Sequence, residues 1–166
     1  MNNVNHPGVG LGSCGLNVTD LARSVDFYSA TLGVEEVRSG VVGNSGYALL
    51  GHGGTVLLTL WEQAGSPAAH ATAGMHHLSF EAPSLEALRL VRDRLVAHGV
   101  ALREDVVTGD SPLTGQLFFE DPDGIRIEVY TEDPRCRWPD AEYAGQPAPR
   151  CGFYEEIDPM IGRHHG

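Results

Sequence analysis

The chain has 166 residues, a length that points to one domain able to bury about 70% of its unfolded surface without staples. Lysine and arginine number 11 against 22 aspartates and glutamates, for a net charge of −11, and so acidic a surface excludes nucleic acid and anionic membrane as partners. No run approaches the roughly 20 apolar residues of a membrane span, and the opening MNNVNHPGVGLGSCG lacks the charged and apolar regions of a secretory signal, so a cytoplasmic location is expected.

In chain order, residues 15–34 read GLNVTDLARSVDFYSATLGV. A short alternating run is followed by Asp20 as an N-cap, then a helical face of Leu21, Val25, Tyr28 and Leu32, with Gly33 as the stop. VEEVRSGVV, GYALLGH and TVLLTLWE follow as strands, the last two joined by a turn at His52-Gly53-Gly54. Glu62 is placed past the end of the last strand, in solvent. Residues 63–74, QAGSPAAHATAG, are small, polar and broken by proline, as in a linker.

The pattern then repeats. Residues 78–100 read LSFEAPSLEALRLVRDRLVAHGV, with Leu78, Phe80 and Ala82 alternating, Ser84 as N-cap, Leu85, Leu88, Val91 and Leu95 on one helical face, and Gly99 as the stop. ALREDVV, GQLFFED and IRIEVYTE answer the three strands of the first half, with Asp121-Pro122-Asp123-Gly124 as the turn. Each half is βαβββ, and the expected class is α+β. Matching Asp20 to Ser84 sets Ser13 opposite His77, and matching Gly54 to Gly124 sets Leu58 opposite Glu128. Strand alternation would send His76 and His77 to opposite faces, and would send Cys14 against the helix as a small buried hydrophobe.

Residues 132–166 carry Pro134, Pro139, Pro147, Pro149 and Pro159 and are expected to be an irregular extension. Trp138 with Phe153 or Tyr154 are expected to pack on the rim of a pocket near His77, narrowing access to it, or on a dimer partner. Cys14, Cys136 and Cys151 form no C-x-x-C pair, so no disulfide framework is read, and Cys136 and Cys151 are expected to be reduced in cytoplasm.

NVTDLARSVDFYSATLGV, HHLSFEAPSLEAL and FFEDPDGIRIEVY together resemble the vicinal-oxygen-chelate superfamily, which includes glyoxalase I, type I extradiol dioxygenases, fosfomycin-modifying enzymes and bleomycin-binding resistance proteins. The resemblance implies one domain over residues 1–131, with module one at 11–62, the linker at 63–74 and module two at 75–131. It also implies a cup of curved mixed sheet in which a divalent metal chelates neighbouring oxygens of a small molecule. Its four ligand positions fall on Ser13, Leu58, His77 and Glu128, of which His77 and Glu128 can bind metal well. Fe, Mn, Zn, Ni or Co suits an imidazole with a carboxylate, but catalytic sites usually hold about three protein ligands, so a third would come from Ser13, the extension or water.

The implied function is a metal-dependent lyase, isomerase or dioxygenase acting on an oxygen-rich small molecule, with Glu128 catalytic and a pocket that includes Ser13, Leu58, Phe118 and Tyr47. The alternative is a non-catalytic resistance protein sequestering an aromatic ligand such as an antibiotic. Ring-cleaving members place a second histidine before the final hairpin and a tyrosine three residues before the D-P. Here the segment Gly109-Asp110-Ser111-Pro112-Leu113-Thr114 has no histidine and the tyrosine position is Phe118, so that likeness stops at the fold and half a metal site. Family members usually pair, which implies a homodimer.

Overall fold

The computed structural model describes residues 12–69, 73–105 and 115–131. The chain divides after Pro67 into two compact units. The first contains β1 (Cys14–Val18), α1 (Leu21–Leu32), β2 (Glu35–Val42), β3 (Ser45–His52) and β4 (Thr55–Glu62). Its strands are ordered β1-β4-β3-β2, with β1 parallel to β4 and the other neighbours antiparallel.

Helix α1 begins where side chains satisfy main-chain donors that have no partner inside the helix. Asp20 Oδ1 accepts from the Arg23 N–H at 3.0 Å. Glu62 is the last residue of β4, and its Oε1 accepts from the Leu21 N–H at 3.2 Å, so the side chain expected to be merely solvated caps the helix. The helix stops at Gly33, whose φ of 72° is left-handed backbone that glycine adopts without penalty.

Which sheet face the helix covers follows from Gly46, where an added Cβ would stand 3.0 Å from the Leu21 side chain. Alternation puts Ala48 and Leu50 on that same face. Pairing then carries it across the sheet, from Ala48 to Leu60, from Leu50 to Leu58, and from Leu60 to Leu16. All five are buried, as is Tyr28 on the helix. On the other face the rings of Tyr47 and Trp61 lie 5.3 Å apart. Cys14 shares the helix side, paired with Leu58, and partial burial pushes its thiol pKa up, as befits an inert thiol.

The expected match of Leu58 with Glu128 fails here. Leu58 is 1% exposed and belongs to the helix-side core, not to a pocket. The cause is a bulge in the β3–β4 hairpin: Gly51 pairs with Val56 but Leu50 with Leu58, so Leu57 is an extra residue in β4. Every side chain beyond it comes one position later, and the β4 residue paired with Gly15 is Thr59, as Glu128 is paired with Ser79. Gly51 makes the bulge possible, since a Cβ there would lie 1.8 Å from the Thr55 carbonyl oxygen.

The second unit contains β5 (Leu78–Glu81), α2 (Leu85–Ala97), β6 (Leu102–Asp105), β7 (Gln116–Glu120) and β8 (Arg126–Tyr130). The strand order β5-β8-β7-β6, with β5 parallel to β8, repeats the first sheet, so both halves are the expected βαβββ modules and the fold is α+β. Ser84 Oγ caps α2 by accepting from the Ala87 N–H at 3.2 Å. The Asp121 carboxylate ties the β7–β8 turn, Oδ1 accepting from the N–H groups of Asp123 at 2.9 Å and Ile125 at 2.8 Å. That Asx geometry accounts for the D-P-D-G sequence.

Leu117 pairs with Val129 and Phe119 with Ile127, and these four buried side chains form the apolar face, which complements the buried Leu85, Leu88 and Leu95 of α2. The alternate positions of β7 and β8 form a polar face. There Gln116, Phe118 and Glu128 are nonetheless buried.

Among the described residues no helix is long and apolar enough to cross a membrane. The extension 132–166, with Trp138, Phe153, Tyr154, Cys136 and Cys151, lies outside the described residues.

Candidate functional site

The site is built on the polar face of the second unit. Glu128, in the middle of β8, is flanked by Ser79 of β5 and Phe118 of β7 through direct strand pairing. Its side chain is 0% exposed, and a carboxylate without solvent must be held by donors or cations. Ser79 Oγ donates to Glu128 Oε2 at 2.5 Å. His77 Nε2 stands 3.7 Å from the same oxygen.

His76 does not take the opposite face. Residues 75–77 precede β5, so strand alternation does not apply to them. The two rings meet edge to face, with centroids 5.1 Å apart. Their Nδ1 atoms are 2.9 Å apart, and Arg126 Nη1 lies 3.3 Å from His76 Nε2. A guanidinium can only donate, so His76 Nε2 accepts. Neutral His76 then carries its proton on Nδ1 and donates it to His77 Nδ1, which leaves the His77 proton on Nε2, facing Glu128. Burial first, and then the neighbouring His76 and Arg126, holds the His77 pKa below the usual histidine value. The ring is therefore neutral at pH 7.

Of the residues singled out from sequence, the second unit brings together His77, Glu128 and Phe118, the last 4% exposed. Ser13 is exposed just ahead of β1 in the first unit. Tyr47 lies in the first unit beside Trp61 and lines a cavity of about 620 Å³ with Asp20, Val25, Glu36 and Glu62. Ser79, His76 and Arg126 are additions. Alternation around Leu78 and Phe80 already sets Ser79 on the Glu128 side, whereas His76 and Arg126 carry no periodic signal.

Residues 10–129 match the family model of the Glyoxalase/Bleomycin resistance protein/Dioxygenase superfamily. The chain belongs to that superfamily. A catechol-2,3-dioxygenase of Bacillus subtilis (strain 168) is 28% identical to this superfamily member over 135 residues, covering 80% of this chain. The chain spans only 45% of that relative's length. Among solved structures, a glyoxylase/bleomycin resistance protein/dioxygenase domain from Frankia sp. EAN1pec shares 26% identity over 74% of this chain and 91% of its own, with a TM-score of 0.63. The trypanothione-dependent glyoxalase I of Leishmania major shares 26% over 75% of this chain and 87% of its own, with a TM-score of 0.59.

Within this superfamily member, His77 and Glu128 are the donors suited to a divalent ion. Two bonds of about 2.1 Å reach across about 4.2 Å, so a 3.7 Å gap between Nε2 and Oε2 admits one ion. Among the described residues no group of three or more His, Cys, Asp or Glu that could hold a metal is present. The donor pair fits a metal as half of a ligand set.

Proposed function

We propose that this protein is a divalent-metal-dependent enzyme acting on a small, oxygen-rich organic molecule, with His77 and Glu128 as the metal ligands. The observation that carries the reading is a fully buried carboxylate facing an imidazole nitrogen at 3.7 Å. A bound Fe, Mn, Zn, Ni or Co ion supplies Lewis acidity toward a substrate oxygen. Ser79 orients the Glu128 carboxylate through Oε2, and an ion at His77 Nε2 requires the proton on that nitrogen to pass to Nδ1, which then donates to His76. Glu128 is also the base placed to take a proton from a substrate hydroxyl. Phe118, directly across from it in the strand pairing, supplies an apolar wall that strengthens these polar contacts. The remaining coordination positions fall to water and to the substrate's own oxygens. The relatives named as a dioxygenase and a glyoxalase I support an enzymatic reading of the lyase, isomerase or dioxygenase type.

Metal analysis of protein purified without chelator, beside His77→Ala, tests the proposal. About one transition-metal ion per chain, lost in the variant, is expected. Metal retained by His77→Ala, or none in either protein, sinks it.

A second reading, a non-catalytic binder of an aromatic and cationic compound, is favoured by the first unit's cavity. Its lining includes Asp20, Asp26, Glu36 and Glu62, an acidic set that attracts cations.

The proposal extends to a homodimer. The edge strand β2 leaves Val41 71% and Val42 58% exposed, and an unpaired apolar edge gains by pairing. Sedimentation velocity at micromolar concentration is expected to show a dimer, and a monomer there removes this element.

A further inference from the structure

We infer that Gln116 is a specificity-determining residue whose Nε2 donates a hydrogen bond to an oxygen of the substrate held beside Glu128; this rests on the enzyme reading above. Gln116 opens β7 and pairs with Tyr130, while Phe118, two positions on, pairs with Glu128. Alternation puts Gln116, Phe118 and Glu128 on one face. Gln116 is 2% exposed, yet its Nε2 makes no hydrogen bond among the described residues.

A buried primary amide is kept only where something answers it, because an apolar residue of the same shape fills the space without losing hydrogen bonds to water. Gln116 does not stand alone in this. Arg126, on the same face of β8, has a buried Nε in the same condition, although its Nη1 engages His76. Two buried donors on either side of a carboxylate call for an acceptor that arrives with the ligand. A carbonyl or phenolic oxygen has that chemistry, whereas an amine or a hydrocarbon does not.

The test uses the full chain, Mn(II) and catechol as probes, and the variants Gln116→Met and Gln116→Leu, Met being the close match in shape. Mn(II) affinity is expected to stay within about twofold of wild type, and the Kd of catechol with Mn(II) present to rise about tenfold. The ligand-free variants are expected to melt a few degrees higher, because a polar group with no internal partner has been removed. A lower melting temperature in both variants would show that Gln116 serves the fold, and an unchanged catechol Kd would show that it touches no ligand; either overturns the inference. Failure of the enzyme reading looks different: wild type then binds no Mn(II), while a catechol Kd measured without metal still rises in Gln116→Met if the inference holds. Wild type that binds no catechol, with or without Mn(II), overturns it as well.

Discussion

Glu128→Gln is expected to weaken divalent-metal binding by at least about 100-fold while leaving the metal-free protein as stable as wild type or slightly more so. The substitution keeps volume and shape but removes the negative charge that a cation needs. The buried carboxylate is held by Ser79 and faced by a neutral imidazole, so the folded protein bears a desolvation cost that a neutral amide avoids. Titration of Mn(II) by calorimetry, with urea denaturation in chelator, reads both halves of the expectation. Undiminished affinity in the variant would remove Glu128 from the metal site. A large loss of stability without metal would make it a structural residue.

Leu58→Ala is expected to cost about 2–5 kcal/mol of stability, whereas Thr59→Ala costs less than about 1 kcal/mol. Leu58 is 1% exposed among the leucines facing α1, and truncation there leaves a cavity in a packed core. Thr59 is half-buried on the opposite face. Chemical denaturation of the two variants decides between the helix-side placement and the pocket position implied by counting from Gly54. Equal losses, or the larger one at Thr59, would contradict the bulge.

The contrast between these neighbours marks where the sequence could be read and where it could not. Period and punctuation were sufficient for the helices, since Asp20, Gly33, Ser84 and Gly99 bracket apolar faces at helical spacing, and the strands of both halves follow from alternation between turns. His77 and Glu128 were legible because a family resemblance pointed at them and a carboxylate within an isoleucine and valine strand is conspicuous. The slip at Leu58 comes from Leu57, which looks like any other strand residue; a bulge is a property of pairing, visible only once both strands are aligned. His76 was misplaced for a related reason, as alternation was applied to residues that precede the strand. Gln116 gave no signal, because an amide at the start of a strand reads as ordinary until its burial is known.

Glu62 ends β4, pairs with Val18 of the parallel strand β1 and caps α1. All the strand pairings of the first sheet are therefore made by residues that precede Gln63. A nascent chain in which this segment has left the ribosome already holds every partner the sheet requires, and the parallel β1–β4 pairing, the longest loop to close, can form before residues 78–130 are synthesised. On this view the order of synthesis matches the order of assembly, and Glu62 completes the strand pairings of the first sheet.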